Sequence, residues 1–244
     1  MTSTSVPAIS AHRGGGETAP IDTWAAYQAA LATGAEYVEF DVRRTGDGQL
    51  VCFHDEHATP GGPALATLTV PELREACGQD VPLVSDVMKL IAGQAIGHVD
   101  IKDVGHEREV VDLAMDLLGV DGFVATTLED ESVRAIKDYA PQVRTALSIG
   151  RNLAGYSPAR WLRIRRSELR PLPRIRACGA DWAALNHRIA RLGALESCHR
   201  NGIGVMIWTV NDDALIRRFL ADPRVSVLTT DRPHRAVALR DAHR

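Results

Sequence analysis

The sequence lacks the features that mark membrane-spanning, secreted and disulfide-stabilised proteins. No segment approaches the ~18 consecutive apolar residues of a membrane-spanning helix, so no transmembrane segment is predicted. The first residues carry neither a basic start nor a long apolar segment, so we predict no signal peptide and expect a cytoplasmic location. The four cysteines lie far apart without a CxxC spacing and are expected to be free thiols: Cys52, Cys77, Cys178 and Cys198.

An excess of charge of one sign is also missing. The chain carries 28 lysines and arginines against 31 aspartates and glutamates, which gives a net charge of −3. This balance gives no general attraction to nucleic acid, and no nucleic-acid partner is expected. One stretch, residues 159–176, is densely basic. We interpret it as a solvated helix face followed by a proline-broken loop, or as a weak contact with anionic lipid headgroups.

The chain is long enough for one ordinary domain over residues 1–244, because 45% of its residues are hydrophobic and can form a full core. Short apolar runs alternate with helix-like segments along most of it. This alternation predicts an α/β protein in which helices cover a parallel sheet. The predicted strands are Val6–Ala11, Tyr37–Arg43, Leu50–His54, His98–Lys102, Phe123–Thr127, Arg144–Ile149, Trp182–Asn186, Val205–Val210 and Val225–Thr230.

One of these strands is predicted to leave the parallel order. The connection between Asp41 and Leu50 is shorter than the roughly twelve residues of a parallel crossover, and it contains the turn signal GDG. Leu50–His54 is therefore expected to return antiparallel to Tyr37–Arg43, with residue 54 roughly opposite Glu39. Removing it leaves the eight strands of a (β/α)8 TIM barrel, with a short hairpin after strand 2 and an active site at the carboxyl ends of the strands.

Three carboxylates fall on predicted inward faces of two strands. Glu39 and Asp41 share one face of their strand because they are two residues apart, and Asp100 and Lys102 repeat this arrangement. Burying like charges costs several kcal/mol unless something neutralises them. A hard divalent cation does so with carboxylate oxygens. We therefore predict one divalent metal ion at Glu39, Asp41 and Asp100, with Mg²⁺ as the first expectation and Ca²⁺ as the second.

Two histidines and an arginine are placed at neighbouring strand ends. His12 and Arg13 end the first strand, and His54 ends the return strand. Imidazoles titrate near neutral pH, so two of them can act as general base and general acid. The metal, Arg13 and Lys102 can hold a phosphate group. The glycines at 14–16 are expected to leave room for a ligand close to the backbone.

The chain resembles the glycerophosphodiester phosphodiesterases in a series of short motifs. Each motif alone is weak, but their order and spacing match that family from about residue 8 to residue 236. The motifs are HRG at 12–14, PIDT at 20–23, GAEYVEFDV at 34–42, TGDG at 45–48, HD at 54–55, VDIK at 99–102, WTVND at 208–212 and TTDRP at 229–233.

The resemblance implies a barrel enzyme with a single divalent metal. It implies hydrolysis of a small phosphodiester with a glycerol-like head to sn-glycerol 3-phosphate and an alcohol. The roles that it implies are acid/base catalysis by His12 and His54, metal binding by Glu39, Asp41 and Asp100, phosphate contact by Arg13 and Lys102, and a wall of the substrate pocket at Trp208.

Some positions depart from the family's pattern. Ile21 and Asp22 stand where it has glutamate and asparagine, and Asp100 stands where glutamate is commoner. A related branch of these barrels, the sphingomyelinase D-like enzymes, has a third aspartate and turns its substrate into a cyclic phosphate. Asp100 keeps that reaction open as an alternative. A barrel that binds a phosphorylated ligand without catalysis is a further alternative, suggested by Ile21 and the short segment between His54 and Val81.

Overall fold

Within residues 6–242, which the computed structural model describes, eight parallel strands close into a barrel and a ninth pairs with one of them at its end. The strands are β1 (Ala8–Ala11), β2 (Tyr37–Arg44), β3 (Leu50–Cys52), β4 (Ile96–Ile101), β5 (Phe123–Thr127), β6 (Thr145–Ile149), β7 (Trp182–Asn186), β8 (Gly204–Trp208) and β9 (Val227–Thr230). The barrel follows the order β1, β2, β4, β5, β6, β7, β8, β9, and β9 pairs with β1 to close it. The predicted (β/α)8 barrel is confirmed.

The ninth strand, β3, is the predicted hairpin excursion. It runs antiparallel to the end of β2, with Val42 opposite Cys52 and Arg44 opposite Leu50. Continuing this register places residue 54 opposite Phe40, one residue from the expected position. The hairpin therefore returns the chain to the rim of the barrel directly beside the acidic strand.

Helices lie between most of the strands. They are α1 (Trp24–Leu31), α2 (Val70–Cys77), α3 (Val84–Ile91), α4 (Glu107–Leu118), α5 (Asp130–Tyr139), α6 (Pro158–Leu169), α7 (Leu172–Cys178), α8 (His187–Ile189), α9 (Leu195–Arg200), α10 (Asp213–Leu220) and α11 (Pro233–Asp241). Thr23 caps α1 by accepting a hydrogen bond from the backbone N–H of Ala26 at 3.2 Å. In the part of the chain that the structure describes, no helix combines the length and apolar character needed to cross a bilayer.

Alternation along the strands separates the inside of the barrel from its outside. Val38, Phe40 and Val42 point outward and pack in a core cluster with residues of α1, α3 and α4. Glu39 and Asp41 take the opposite face, as the sequence predicts. Apolar residues fill the interior, and the buried ones form one cluster: Tyr37, Val124, Ala146, Ala184, Met206 and Val227.

The glycines after Arg13 are required for packing, so the expectation that they leave room for a ligand is wrong for two of them. Gly14 has a φ of +79° and Gly15 a φ of +88°, values that favour glycine. A Cβ on Gly14 would lie 2.7 Å from the backbone carbonyl carbon of Ala26, and one on Gly15 would lie 2.7 Å from the ring of Pro233. Both glycines are buried and let the first turn of the chain lie directly against α1 and α11.

We expect Gly14→Ala to lower the free energy of unfolding by about 3 kcal/mol, because a left-handed backbone and a backbone clash both oppose the new methyl group. Gly61→Ala is the matched control: Gly61 has a φ of +75° with nothing within 4 Å of the added Cβ. Its cost should be about 1 kcal/mol. Urea unfolding measures both, and equal losses in the two variants would contradict the packing explanation.

Candidate active site

The side chains that the sequence predicts for chemistry meet at the carboxyl ends of the strands. All of them line one cavity of ≈ 240 Å³, together with residues from the loops after β5 and β6. The predicted residues that the structure brings together there are His12, Arg13, Glu39, Asp41, His54, Asp100, Lys102 and Trp208.

Three carboxylates form the floor of this cavity. Glu39 is 3% exposed and Asp41 is 1% exposed, and with Asp100 each offers an oxygen within 4.8 Å of the others. Asp41 lies between two cations, with Arg13 Nε at 2.8 Å and Lys102 Nζ at 2.7 Å. Yet among the described residues neither Asp41 oxygen finds a hydrogen-bond partner of regular geometry. Asp41 is therefore neutralised by proximity to charge more than by hydrogen bonds.

The electrostatics differ between neighbouring carboxylates. Burial raises the pKa of Asp41, but the charges of Lys102 and Arg13 outweigh it and hold that pKa well below its usual range. For Glu39, burial acts in the same direction as the negative charges of Asp41 and Asp100, so its pKa is raised well above its usual range. Without a further cation, the group thus favours a proton on Glu39.

This imbalance shows that the residues fit a divalent cation. Three carboxylates face two cationic side chains, Arg13 and Lys102, which leaves one negative charge uncompensated. Carboxylate oxygens are the ligands that Mg²⁺ and Ca²⁺ prefer. Asp100 also accepts a hydrogen bond from Thr126 Oγ1 at 2.6 Å, and such a contact orients a carboxylate at a metal site.

Arg13 reaches the carboxylates because its backbone is left-handed, with φ of +50° and ψ of +40°. This conformation is uncommon for a residue with a side chain. The backbone N–H of Arg13 donates to Glu39 Oε2 at 2.7 Å, while its guanidinium lies against Asp41. The two acids of β2 thus hold both the main chain and the side chain of Arg13.

His12 is oriented by a carboxylate for which the sequence predicts no role. His12 Nδ1 lies 2.5 Å from Asp231 Oδ1, which indicates that Nδ1 carries a proton and that Nε2 faces the cavity. His12 Nε2 is 3.9 Å from Glu39 Oε2. Asn211 holds Asp231 in turn, because its Nδ2 donates to the carboxylate and its Oδ1 accepts from the Asp231 N–H at 2.9 Å. The TTDRP motif contains Asp231 but gave no sign of this contact.

His54 follows β3, at the rim beside β2, and is held through both its backbone and its ring. Arg43 Nε donates to the carbonyl oxygen of His54 at 2.8 Å, and Arg43 also pairs with Asp103, one residue after Lys102. Burial lowers the pKa of His54, and the negative charge of Asp41 opposes this shift. His54 Nδ1 lies 2.7 Å from Asp55 Oδ1.

Trp208 forms part of the wall of the cavity. Its indole Nε1 donates to the carbonyl oxygen of Ala184 at 2.8 Å, which fixes the ring at the end of β8. Ser148, Arg151 and Asn152 line other parts of the cavity and were missed from the sequence. They lie at the end of β6 and in the loop after it, and no motif or periodic pattern marks such positions.

The comparisons with known proteins point to one family of phosphodiesterases. The profile of the glycerophosphoryl diester phosphodiesterase family matches residues 12–235. A glycerophosphodiester phosphodiesterase of Caldanaerobacter subterraneus subsp. tengcongensis is 24% identical over 245 residues, covering 91% of this chain and 93% of that protein. A probable glycerophosphodiester phosphodiesterase 1 of Mycobacterium tuberculosis is 46% identical over 72 residues, which is 28% of this chain and only 26% of that protein.

A solved structure shows the same fold. The Oleispira antarctica phosphodiesterase, solved with the product sn-glycerol-3-phosphate, superposes with a TM-score of 0.75 at 18% sequence identity. The match covers 97% of each chain. At this level of sequence identity, the likeness shows that the two chains share a fold.

Asp22 introduces a fourth carboxyl group at the edge of the site. Its φ is +63°, and its oxygens lie 3.7 Å from Arg13 and 3.2 Å from the Tyr27 hydroxyl, which donates to it. Burial, and then the charge of Asp41, raise the pKa of Asp22 to about 7, against the lowering effect of Arg13. Near neutral pH this carboxyl therefore resists ionisation.

We expect Asp22→Asn to raise the free energy of unfolding above pH 7 by about 1–3 kcal/mol. The raised pKa means that the folded protein binds this proton more tightly than the unfolded chain, so ionisation destabilises the fold as pH rises from ~4 to 7. At pH 4 the gain should vanish. Urea unfolding at several pH values tests this, with Asp121→Asn at an exposed loop position as the control. A gain that is independent of pH would contradict it.

Proposed function

The chain belongs to the glycerophosphoryl diester phosphodiesterase family, a family of phosphoric diester hydrolases, and we propose that it hydrolyses a glycerophosphodiester to sn-glycerol 3-phosphate and an alcohol. The observation that carries the proposal is the meeting of the eight predicted site residues in one cavity. Arg13 and Lys102 bring positive charge there, which suits the oxygens of a phosphodiester. The product bound to the Oleispira antarctica relative supports the same product here.

Proton transfer falls to the two histidines. His54 has a lowered pKa, so it is neutral near pH 7 and can accept the proton of the attacking water. Water then adds to phosphorus and the bond between phosphorus and the alcohol oxygen breaks. For this step His12 carries a proton on each ring nitrogen: it donates the one on Nε2 to that oxygen and becomes neutral, while Asp231 holds Nδ1 and keeps the ring in place.

The divalent cation is part of the same proposal. Glu39, Asp41 and Asp100 would hold it, because their oxygens converge and their charge is not balanced by the cationic side chains. When bound, the cation supplies positive charge that stabilises the negative charge developing on the phosphate. Arg13 and Lys102 bind phosphate oxygens beside it and keep the ester in position. The choice of Mg²⁺ over Ca²⁺ and the cytoplasmic location stay predictions.

The activity is tested with choline, ethanolamine and glycerol diesters of sn-glycerol 3-phosphate, in the presence of Mg²⁺, Ca²⁺ or Mn²⁺. We expect turnover by the wild type and a loss of kcat by roughly 100- to 10,000-fold in His12→Ala and His54→Ala, because each removes a proton carrier. His199→Ala, at an exposed position on α9, should keep full activity. Phosphorus NMR identifies the product.

Three outcomes would contradict the proposal. Normal turnover by a folded His12→Ala variant would show that His12 is not the general acid. A cyclic phosphate as the final product would favour the intramolecular reaction of the sphingomyelinase D-like branch. Ligand binding without turnover for any metal would favour a non-catalytic barrel.

Metal binding has a readout of its own. We expect Mg²⁺ to raise the Tm of the wild type, since a cation that binds only the folded state stabilises it. Glu39→Gln and Asp100→Asn should weaken the apparent affinity by roughly 100-fold or more, because each removes a ligand charge. Asp116→Asn on the exposed face of α4 is the control. Chelation should abolish turnover, and an unchanged Mg²⁺ response in both site variants would place the metal elsewhere.

A further inference from the structure

Helix α6 is poorly buried for a helix of a barrel. Residues 157–163 are all exposed, and Glu168 is the one residue of α6 that is fully buried. Three large apolar side chains on α6 remain in water: Trp161 is 44% exposed, Leu162 54% and Leu169 37%. Large apolar side chains that are exposed together on one helix commonly mark a surface that contacts a protein or a membrane.

The charge of α6 and the segment after it is strongly positive. Glu168 is the only acidic residue between Asp138 and Asp181, and it pairs with Arg165. On α6 and at the residue directly after it, four arginines make no ion pair with any described residue: Arg160, Arg163, Arg166 and Arg170. The outer face of the helix thus carries positive charge without local compensation.

Apolar and basic side chains share this outer face. Leu162, Arg166 and Leu169 follow each other at the i, i+4 and i+7 spacing that places residues on one side of a helix. Trp161 lies beside them at the first turn, with the guanidinium of Arg165 5.7 Å from its ring. Tryptophan and leucine flanked by arginine are typical of helices that lie in the headgroup region of a bilayer.

The position of α6 connects this face to the active site. Buried Glu168 accepts hydrogen bonds from the backbone N–H groups of Gly150 at 3.1 Å and Arg151 at 2.8 Å. Gly150 and Arg151 line the cavity that holds the site residues. The helix is therefore anchored to the wall of the cavity at its carboxyl-end mouth.

We propose that the outer face of α6 docks on the anionic surface of a lipid bilayer. Its arginines contact phosphate groups, and Trp161 and Leu162 enter the headgroup region. Docking in this way holds the mouth of the cavity close to the membrane; the benefit of this placement for a phosphodiester substrate rests on the proposed function. The opposite charges of the helix and the anionic leaflet, together with exposed apolar side chains, favour a bilayer over an acidic protein.

Vesicle sedimentation tests the docking without any turnover, so its failure is distinct from failure of the proposed hydrolysis. The wild type should bind to vesicles of equimolar phosphatidylcholine and phosphatidylglycerol, and it should bind much less to vesicles of phosphatidylcholine alone. Raising the ionic strength should weaken binding, because exposed charges are screened.

Two pairs of variants distinguish binding through α6 from a general attraction between positive charge and the anionic vesicles. Arg163→Gln/Arg166→Gln should weaken binding to the mixed vesicles by roughly 30-fold. Arg217→Gln/Arg218→Gln removes the same charge from exposed positions on α10 and should change binding little. Trp161→Ser/Leu162→Ser should weaken binding by roughly tenfold or more, whereas Val120→Ser at an exposed position before β5 should not. Circular dichroism checks that each variant is folded.

The results that overturn the proposal are equally specific. One is wild-type binding that is equally strong with and without phosphatidylglycerol in the vesicles. The other is equal affinity of the α6 and α10 arginine variants for the mixed vesicles. Full binding by Trp161→Ser/Leu162→Ser would exclude insertion of the apolar side chains. Binding to polyglutamate but not to vesicles would assign the surface to an acidic protein.

Discussion

Three carboxylates inside the barrel mouth can stay together only because cations share the space with them. Asp41 is nearly without solvent exposure, and Arg13 and Lys102 lie within 2.8 Å of its oxygens. Removing one partner from such a group leaves a buried charge, which is costly. The rest of the site follows from this constraint: Arg13 adopts a left-handed backbone to reach Asp41, and Glu39 receives its N–H. The remaining negative charge is what a divalent cation would neutralise.

The two histidines are supported in different ways, and the difference agrees with their proposed roles. His12 is held by a side chain, because Asp231 and Asn211 from the far end of the chain fix its Nδ1. His54 is held through its carbonyl oxygen by Arg43 and through its ring by the neighbouring Asp55, and its ring is 43% exposed. Both rings contact a carboxylate, so the difference lies in exposure: the ring of His12 is 18% exposed, and the more solvated, neutral ring of His54 suits an acceptor of a proton from water.

The barrel was predictable because its determinants are local. Apolar runs of strand length alternate with helical patterns, and the short GDG connection identifies β3 as a return strand. Period-two alternation placed Glu39 and Asp41 on the inner face, since side chains of a strand must alternate. The glycines after Arg13 were misjudged because their requirement comes from Ala26 and Pro233, whose approach no local pattern reveals.

The sequence by itself determined the fold, the acidic strand faces and the set of motif residues that meet in the cavity. Spacing along a strand and the order of strands are sufficient for those conclusions. Only the tertiary structure decided which groups touch: Asp231 on His12, Arg43 on His54, and Glu168 beneath the loop at Arg151. It also decided that the basic stretch carries its apolar residues outward on α6. These contacts join residues that are far apart in the sequence. They form only when the closed barrel brings those segments together.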